Sequence, residues 1–465
     1  MTNRRHAVTI RRVICRRTTL DAMADLVERV RDLLPSVRRD LEELVRIESV
    51  WADPARRDQV HRSADLTAKL LSEAGFGDVR IVEAGGAPAV IARHPAPEGA
   101  PTVLLYAHHD VQPEGDAAQW ASAPFEPTER DGRLYGRGTA DDKAGIATHL
   151  AAFRAHGGNP PVGVTVFVEG EEESGSPSLG ALLDAHRDLL AADVIIIADS
   201  DNWSTDIPAL TVSLRGLADC VVEVATLDHG LHSGLWGGVV PDALSVLVRL
   251  LASLHDDDGN VAVAGLHEAT AAEVEFSDER VRADSGLLDG VSQIGSGAVV
   301  QRLWAKPAIT VIGIDTTPID KSSNTLIPRA RAKVSMRVAP GGDARAHLQA
   351  LTRHLEEHAP WGAKVTVTPG DVGQPYAIDA TGPVYDAARS AFTTAWGREP
   401  VDMGMGGSIP FIAEFANAFP NAKILVTGVE DPGTQAHSIN ESLHLGVLER
   451  AATAEALLLG ALGTP

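Results

Sequence analysis

Short apolar runs alternate with longer amphipathic stretches along most of the chain. Leu26, Val30, Leu33, Val37, Leu41 and Leu44 recur at helical spacing, which predicts a helix over residues 23–48. Pro35 lies inside it and is expected to kink or divide it, because proline has no amide hydrogen and crowds the preceding turn. A second helix is expected from Arg62 to Ala74, closed by Gly75. Apolar runs follow at Val79–Val82, Ala89–Ala92, Val103–Tyr106, Val162–Val168, Val194–Ala198 and Ala422–Val426. Helices are expected at 142–155, 177–190, 383–396 and 443–461. Short β-branched runs separated by helices are the pattern of an α/β domain, a mostly parallel sheet flanked by helices.

From about 210 to 377 the pattern changes. Leu217–Val224, Ile309–Ile314, Ala330–Val338 and Lys364–Thr368 read as strands, and 241–254 and 342–357 as helices. This is an α+β module with elements of its own, inserted into the first domain, which resumes after it. Length agrees, since 465 residues exceed the ~250–300 at which a single core stops growing. The expected organisation is one domain in two parts, 23–209 and 378–465, with a second domain at 210–377. Residues 1–20 hold six arginines, no acid and no apolar run of signal-peptide length. Residues 1–22 are expected to be a disordered extension.

Composition narrows the function classes. There are 41 Lys+Arg against 63 Asp+Glu, a formal net charge of −22. Nucleic acids and anionic membranes attract basic surfaces, so neither is an expected partner. The apolar runs are strand-sized, short of the ~20 residues of a membrane helix. Two cysteines, Cys15 and Cys220, make neither a disulfide framework nor a metal-type pair, which suits a cytoplasmic location.

In open α/β sheets ligands bind beyond the carboxyl ends of the strands, so the residues after each run carry the chemistry. Val103–Tyr106 leads to His108, His109 and Asp110, and Val162–Val168 to Glu169, Glu171, Glu172 and Glu173. Val194–Ala198 leads to Asp199 and Asp201, and Ile424–Val426 leads through a loop to His437. Asp141 and Asp142 stand at an expected helix start after a glycine-bearing loop. Imidazole and carboxylate are the donors of zinc and similar divalent ions. So many donors suit two ions sharing a carboxylate, a pair able to polarise a carbonyl and activate a water. Singly, each has a plainer reading: aspartates favour helix N-termini, and glutamate runs are commonly solvated. Their joint placement at strand ends points to a metal centre, because adjacent carboxylates repel unless cations or solvent offset them.

The string Tyr106-Ala107-His108-His109-Asp110-Val111-Gln112-Pro113 resembles the first motif of the dinuclear-zinc amidohydrolases. That family includes carnosine-type dipeptidases, acetylornithine deacetylase, succinyl-diaminopimelate desuccinylase and glutamate carboxypeptidase. Leu134-Tyr135-Gly136-Arg137-Gly138-Thr139-Ala140-Asp141-Asp142-Lys143 resembles the second motif. Glu169-Gly170-Glu171-Glu172-Glu173-Ser174-Gly175-Ser176 resembles the third, and Gln435-Ala436-His437-Ser438-Ile439-Asn440-Glu441 the last. The resemblance implies a zinc-peptidase type catalytic domain carrying an inserted lid or dimerisation domain. It implies two divalent metal ions per subunit, Zn2+ foremost, with Mn2+ or Co2+ as alternatives. His108 and Asp199 would hold one, Glu173 and His437 the other, and Asp141 would bridge them. Asp110 would fix the His108 imidazole from behind, and Glu172 would be the general base. The Asp141–Asp142 peptide would be cis. Asp201 competes with Asp199: the family's spacing to a proline, here Pro208, selects Asp199, whereas a Ser200-Asp201-Asn202 match selects Asp201. Strand alternation places both on one face and does not separate them.

In the inserted domain, Gly230-Leu231-His232-Ser233-Gly234-Leu235-Trp236-Gly237-Gly238 resembles the family's lid motif. This implies a homodimer in which His232 acts in trans, stabilising the oxyanion at the neighbouring subunit's site. A loop histidine in a glycine turn is the plainer account. Arg337 and Ser408 match positions that bind the substrate's free carboxylate, although an ordinary surface arginine is the competing reading.

The expected activity is metal-dependent hydrolysis of the amide bond of dipeptides or short peptides with a free C-terminal carboxylate. An N-acyl-amino-acid deacylase would use the same groups on an acetyl or succinyl substrate. The Val111-Gln112-Pro113 and Leu231–Gly238 strings look more like the dipeptidase branch. A non-catalytic member would be expected to lack the base or a ligand, and all of these positions are filled. A dinuclear phosphoesterase would share the donors but not the motifs.

Overall fold

The computed structural model describes residues 23–406 and 411–463 in full, and the backbone alone of residues 2–22 and 410. The expected extension, residues 1–22, falls outside the fully described residues, and Ser408 lies outside the described residues altogether. The chain separates into two compact units. One comprises Met1–Thr211, Asp379–Asp402 and Glu414–Pro465; the other comprises Val212–Ile378 and Met403–Ala413.

The first unit is built on strands β1 (Asp78–Val82), β2 (Ala89–His94), β3 (Thr102–His108), β4 (Gly163–Glu169), β5 (Val194–Ile197) and β6 (Lys423–Val426). Across the sheet they run β1-β2-β4-β3-β5-β6. The last four in that order are parallel, and β1 and β2 form an antiparallel margin. β4 and β5 are buried throughout and β3 beyond its first residue, as befits strands covered on both faces. The chain leaves β3 to form β4 on one side and later enters β5 on the other. The carboxyl end of β3 is therefore a switch point, the place where α/β sheets bind ligands.

Helices α1 (Thr2–Val45), α2 (Arg57–Ala74), α3 (Lys143–Ala155), α4 (Pro383–Trp396) and α5 (Leu445–Leu462) belong to the same unit. The largely buried α3 packs on β3, α1 and α5. α1 runs through Pro35 undivided. Pro35 and Arg31 are both exposed, so water can take the carbonyl that proline leaves unpaired. Gly75 closes α2 at φ 112°, a left-handed conformation that suits glycine. The helix expected over 177–190 is two, Leu179–Ala185 and Arg187–Leu190, parted where His186 leaves helical geometry.

The second unit carries a four-stranded antiparallel sheet in the order Ala308–Asp315, Arg329–Val338, Gly216–Ala225 and Lys364–Gly373. Burial alternates along Arg329–Val338, the sign of one covered face. Helices Ala243–Ala252 and Ala344–Glu357 cover it, closing a core of Val222, Val334, Met336, Leu247, Leu250 and Leu351. The outer strand leaves Val311, Ile312 and Ile314 exposed. Among the described residues no helix is long and apolar enough to cross a membrane.

Candidate metal centre

The buried run of β3 ends in His108, which is itself fully buried. Its Nδ1 lies 3.1 Å from the carbonyl oxygen of Asp110 and 3.4 Å from Asp110 Oδ1. Both are acceptors, so Nδ1 carries the hydrogen and Nε2 is directed at the acids. Nε2 is 3.1 Å from Asp141 Oδ1 and 3.9 Å from Glu172 Oε2. Asp141 divides its oxygens between two imidazoles, since its Oδ2 lies 2.9 Å from His437 Nε2. His437 Nε2 is also 3.1 Å from Glu173 Oε2.

Two sets of donors result, His108 with Glu172 and Asp199, and Asp141 with Glu173 and His437, the ligand atoms of each lying within 4.8 Å of one another. Donors ~2.0–2.2 Å from a tetrahedral zinc stand ~3.3 Å apart. The separations found here bracket that spacing. The residues present therefore fit divalent cations.

Asp141 and Asp142 are joined by a cis peptide and do different work. Asp142 caps α3 by accepting the Gly145 N–H at 3.2 Å, and its other oxygen accepts the His108 N–H at 3.2 Å. Gly145 permits this approach, because a Cβ there would lie 2.4 Å from Asp142 Oδ1. The acidic turn after β4 is fixed by Asp110, whose Oδ1 and Oδ2 accept the N–H groups of Glu172 and Glu173 at 3.1 and 3.2 Å. Gln112 donates to Glu173 from its backbone at 3.0 Å and its side chain at 2.8 Å.

The electrostatics are those of crowded anions. Burial pushes Glu172 well above the usual carboxylate range, with His108 opposing and Asp199, Glu173 and Asp141 adding to the rise. Burial lifts Asp199 to about 7 against the pull of His108, and raises Glu173 as well. Burial works against a charged His108, yet its bonds to Asp110 and Asp141 carry it well above an ordinary histidine. His437, held by Asp141 and Glu173, is pushed up to about 10. Asp141 is depressed in spite of its burial, because both imidazoles bond to it. Positive charge is what this cluster demands.

The other expected site residues are placed as follows. Asp201 stands outside both donor sets, bridging by its backbone to Glu430, and burial raises its carboxyl to about 6. His232 belongs to the second unit, is exposed, and accepts the Gly234 N–H on Nδ1 at 3.0 Å. Arg337, also in that unit, is partly buried and pairs in register with Leu217. Burial, helped by the charge of Arg337, lowers Arg215 to about 10. Arg215 donates to the carbonyls of Gly406, Arg302 and Lys306 at 3.2–3.4 Å. Three further residues had no assigned task in the sequence reading. Arg137 and Glu441 form a buried ion pair at 2.7 Å, and His149 joins β3 to α5. The available signal was a charged residue close to an expected ligand position, Arg137 four before Asp141 and Glu441 four after His437.

The sequence model of peptidase family M20/M25/M40 matches residues 104–461. The chain belongs to this peptidase family. The cysteinylglycine-S-conjugate dipeptidase of Corynebacterium striatum is 36% identical over 428 residues, spanning 90% of this chain and 94% of its own. The β-Ala-His dipeptidase of Homo sapiens is 30% identical over 438 residues, spanning 89% and 84%. The crystal structure of human carnosine dipeptidase 1 matches with a TM-score of 0.77 at 26% identity, covering 95% of this chain and 98% of that one. The M20 chain is thus a metallopeptidase with the family's fold, on its dipeptidase branch.

Proposed function

We propose that this M20 peptidase hydrolyses the amide bond of dipeptides or short peptides bearing a free C-terminal carboxylate. The observation that carries the reading is Asp141, set between His108 and His437 with Glu172 and Glu173 beside them. His108 and Asp199 would hold one divalent ion and Glu173 and His437 the other, and Asp141 would serve both. Zn2+ suits these donors best, and Mn2+ or Co2+ are accepted by the same set. When bound, such a pair polarises the scissile carbonyl and lowers the pKa of a water.

Glu172 takes the proton of the attacking water on its carboxylate and delivers it to the leaving amine. Asp110 holds His108 by Nδ1, so that Nε2 keeps its orientation. Arg337 receives the substrate's carboxylate through its planar fork, with Ser408 as a further contact.

Residues 210–377 act as lid and dimerisation domain of a homodimer, where His232 stabilises the oxyanion at the neighbouring subunit's site. Exposed Leu235, Trp236 and Val239 beside His232 support an interface there. The paucity of cysteine supports a cytoplasmic location.

The test is a panel of dipeptides and N-acyl amino acids offered to the metal-loaded protein. Turnover of dipeptides is expected. Turnover confined to N-acyl amino acids would put a deacylase in its place, and none on either would mark a non-catalytic member.

A further inference from the structure

We infer that Glu441, paired with Arg137, is the positioning residue that holds Asp141 and His437 in mutual register, and so sets the affinity of the metal site those two residues share. The inference rests on the reading that Asp141, Glu173 and His437 hold an ion.

Glu441 is fully buried and both its oxygens are engaged. Oε1 accepts the N–H groups of Ala140 and Asp141 at 3.0 and 3.2 Å. Oε2 accepts the Gly138 N–H at 3.0 Å and Arg137 Nη1 at 2.7 Å. The Glu441 carbonyl accepts the Gly136 N–H at 3.0 Å. Every one of these donors lies in the loop that ends at Asp141. Arg137 closes the ring by donating to the carbonyls of Ser438 at 3.1 Å and Pro113 at 3.3 Å. One ion pair thus joins the segments that carry Asp110, Asp141 and His437.

The His437 loop needs such a clasp. Gln435, His437 and Asn440 have φ of 57°, 59° and 60°, left-handed values that non-glycine residues seldom adopt. The His437 side chain is 58% exposed, so packing does not hold it in place. Glu441, four residues on, is where this loop is anchored to the one that carries Asp141. A carboxylate is required because donors converge on both oxygens. Glutamine would turn an amide N–H toward one of those donor pairs and open half of the clasp.

The test titrates the metal-free protein with Zn2+, counting bound ions by mass spectrometry and measuring each affinity by calorimetry, for the unaltered chain and Glu441→Gln. The unaltered chain is expected to take two ions. Glu441→Gln, with unchanged circular dichroism, should bind the ion of Glu173 and His437 at least ~10-fold more weakly, the usual cost of losing support behind a ligand, and the other ion, which depends on the clasp through Asp141 alone, with a smaller loss. Fewer than two ions in the unaltered chain would overturn the metal reading and the clasp with it. Two ions there, with both affinities unchanged in a folded Glu441→Gln, would overturn the clasp alone. Equal weakening at both sites would also overturn it, by marking Glu441 as general scaffold. If Glu441→Gln does not fold, Arg137→Lys, which keeps the charge but loses the fork, is judged by the same measurements.

Discussion

The carboxylate of Asp110 accepts the backbone N–H of Glu172 at 3.1 Å. The same residue takes the Nδ1 hydrogen of His108 on its carbonyl, so it touches a metal-type ligand and the candidate base at once. β3 and β4 bring this about by register, setting His108 opposite Glu169, three residues before Glu172. The Asp110 carboxylate itself also lies 3.4 Å from His108 Nδ1, so the side chain couples the two strand ends and its loss should be felt at both.

Asp110→Asn keeps one acceptor oxygen and turns an amide N–H toward the backbone N–H of Glu172 or Glu173. kcat should fall ~10–100-fold, as for other residues that orient a metal ligand from behind. KM should change little, because Asp110 touches no substrate in this reading. Steady-state kinetics at saturating metal check it, and a raised KM with unchanged kcat would contradict the assignment.

Glu172 lies in one donor set with His108 and Asp199, so base and ligand are both geometrically open to it. As a base, Glu172→Gln should lose ~10²–10⁴-fold in kcat while binding the same number of ions. As a ligand, it should lose an ion as well. Metal content and kcat measured on one preparation decide between the two.

The strands and most of the helices were legible because burial on both faces demands uninterrupted β-branched runs; Val194–Ile197 is buried at every position. Metal-type residues at strand ends were legible for the same reason, since the runs show where each strand stops. Adjacent acids were harder. Asp141 and Asp142 are neighbours of one residue type, yet one meets two imidazoles and the other caps α3. Glu441 was opaque because most of its partners are backbone N–H groups, which no sequence pattern displays. His149 and Glu455 are 306 residues apart, and nothing local connects them. Pro35 does not divide α1, because the cost of proline in a helix depends on whether water reaches the carbonyl it leaves unpaired.

Asp199 and Asp201 follow the same strand, and the donor geometry separates them. Asp199 shares a set with His108, whereas Asp201 lies by Glu430. Asp199→Asn should therefore lose an ion and nearly all activity, with Asp201→Asn keeping both ions and losing less than ~10-fold in kcat. Ion counting on the two variants checks this, and the reverse pattern would move the ligand to Asp201.

The last prediction concerns the charge beneath the site. His149 Nδ1 lies 2.9 Å from both oxygens of Glu455, and Nε2 lies 3.0 Å from the Tyr106 carbonyl. Every partner is an acceptor, so both nitrogens donate and the ring is an imidazolium. Burial opposes that charge, but Glu455 and the Tyr106 carbonyl outweigh it and raise the pKa. A raised folded-state value gives stability that is complete below the unfolded value of ~6.5 and is lost as pH rises through the folded one. A double variant, His149→Gln with Glu455→Gln, removes both charges and keeps hydrogen-bonding groups in place. The Tm gap between the unaltered enzyme and this variant should therefore be larger near pH ~6 than near pH ~9, by ~1–2 °C for each kcal/mol of linkage in a chain of this size. Thermal melts at the two pH values measure it. An equal gap at both would mean that the ring is neutral throughout, and the anchor at the end of β3 would then be an ordinary hydrogen bond.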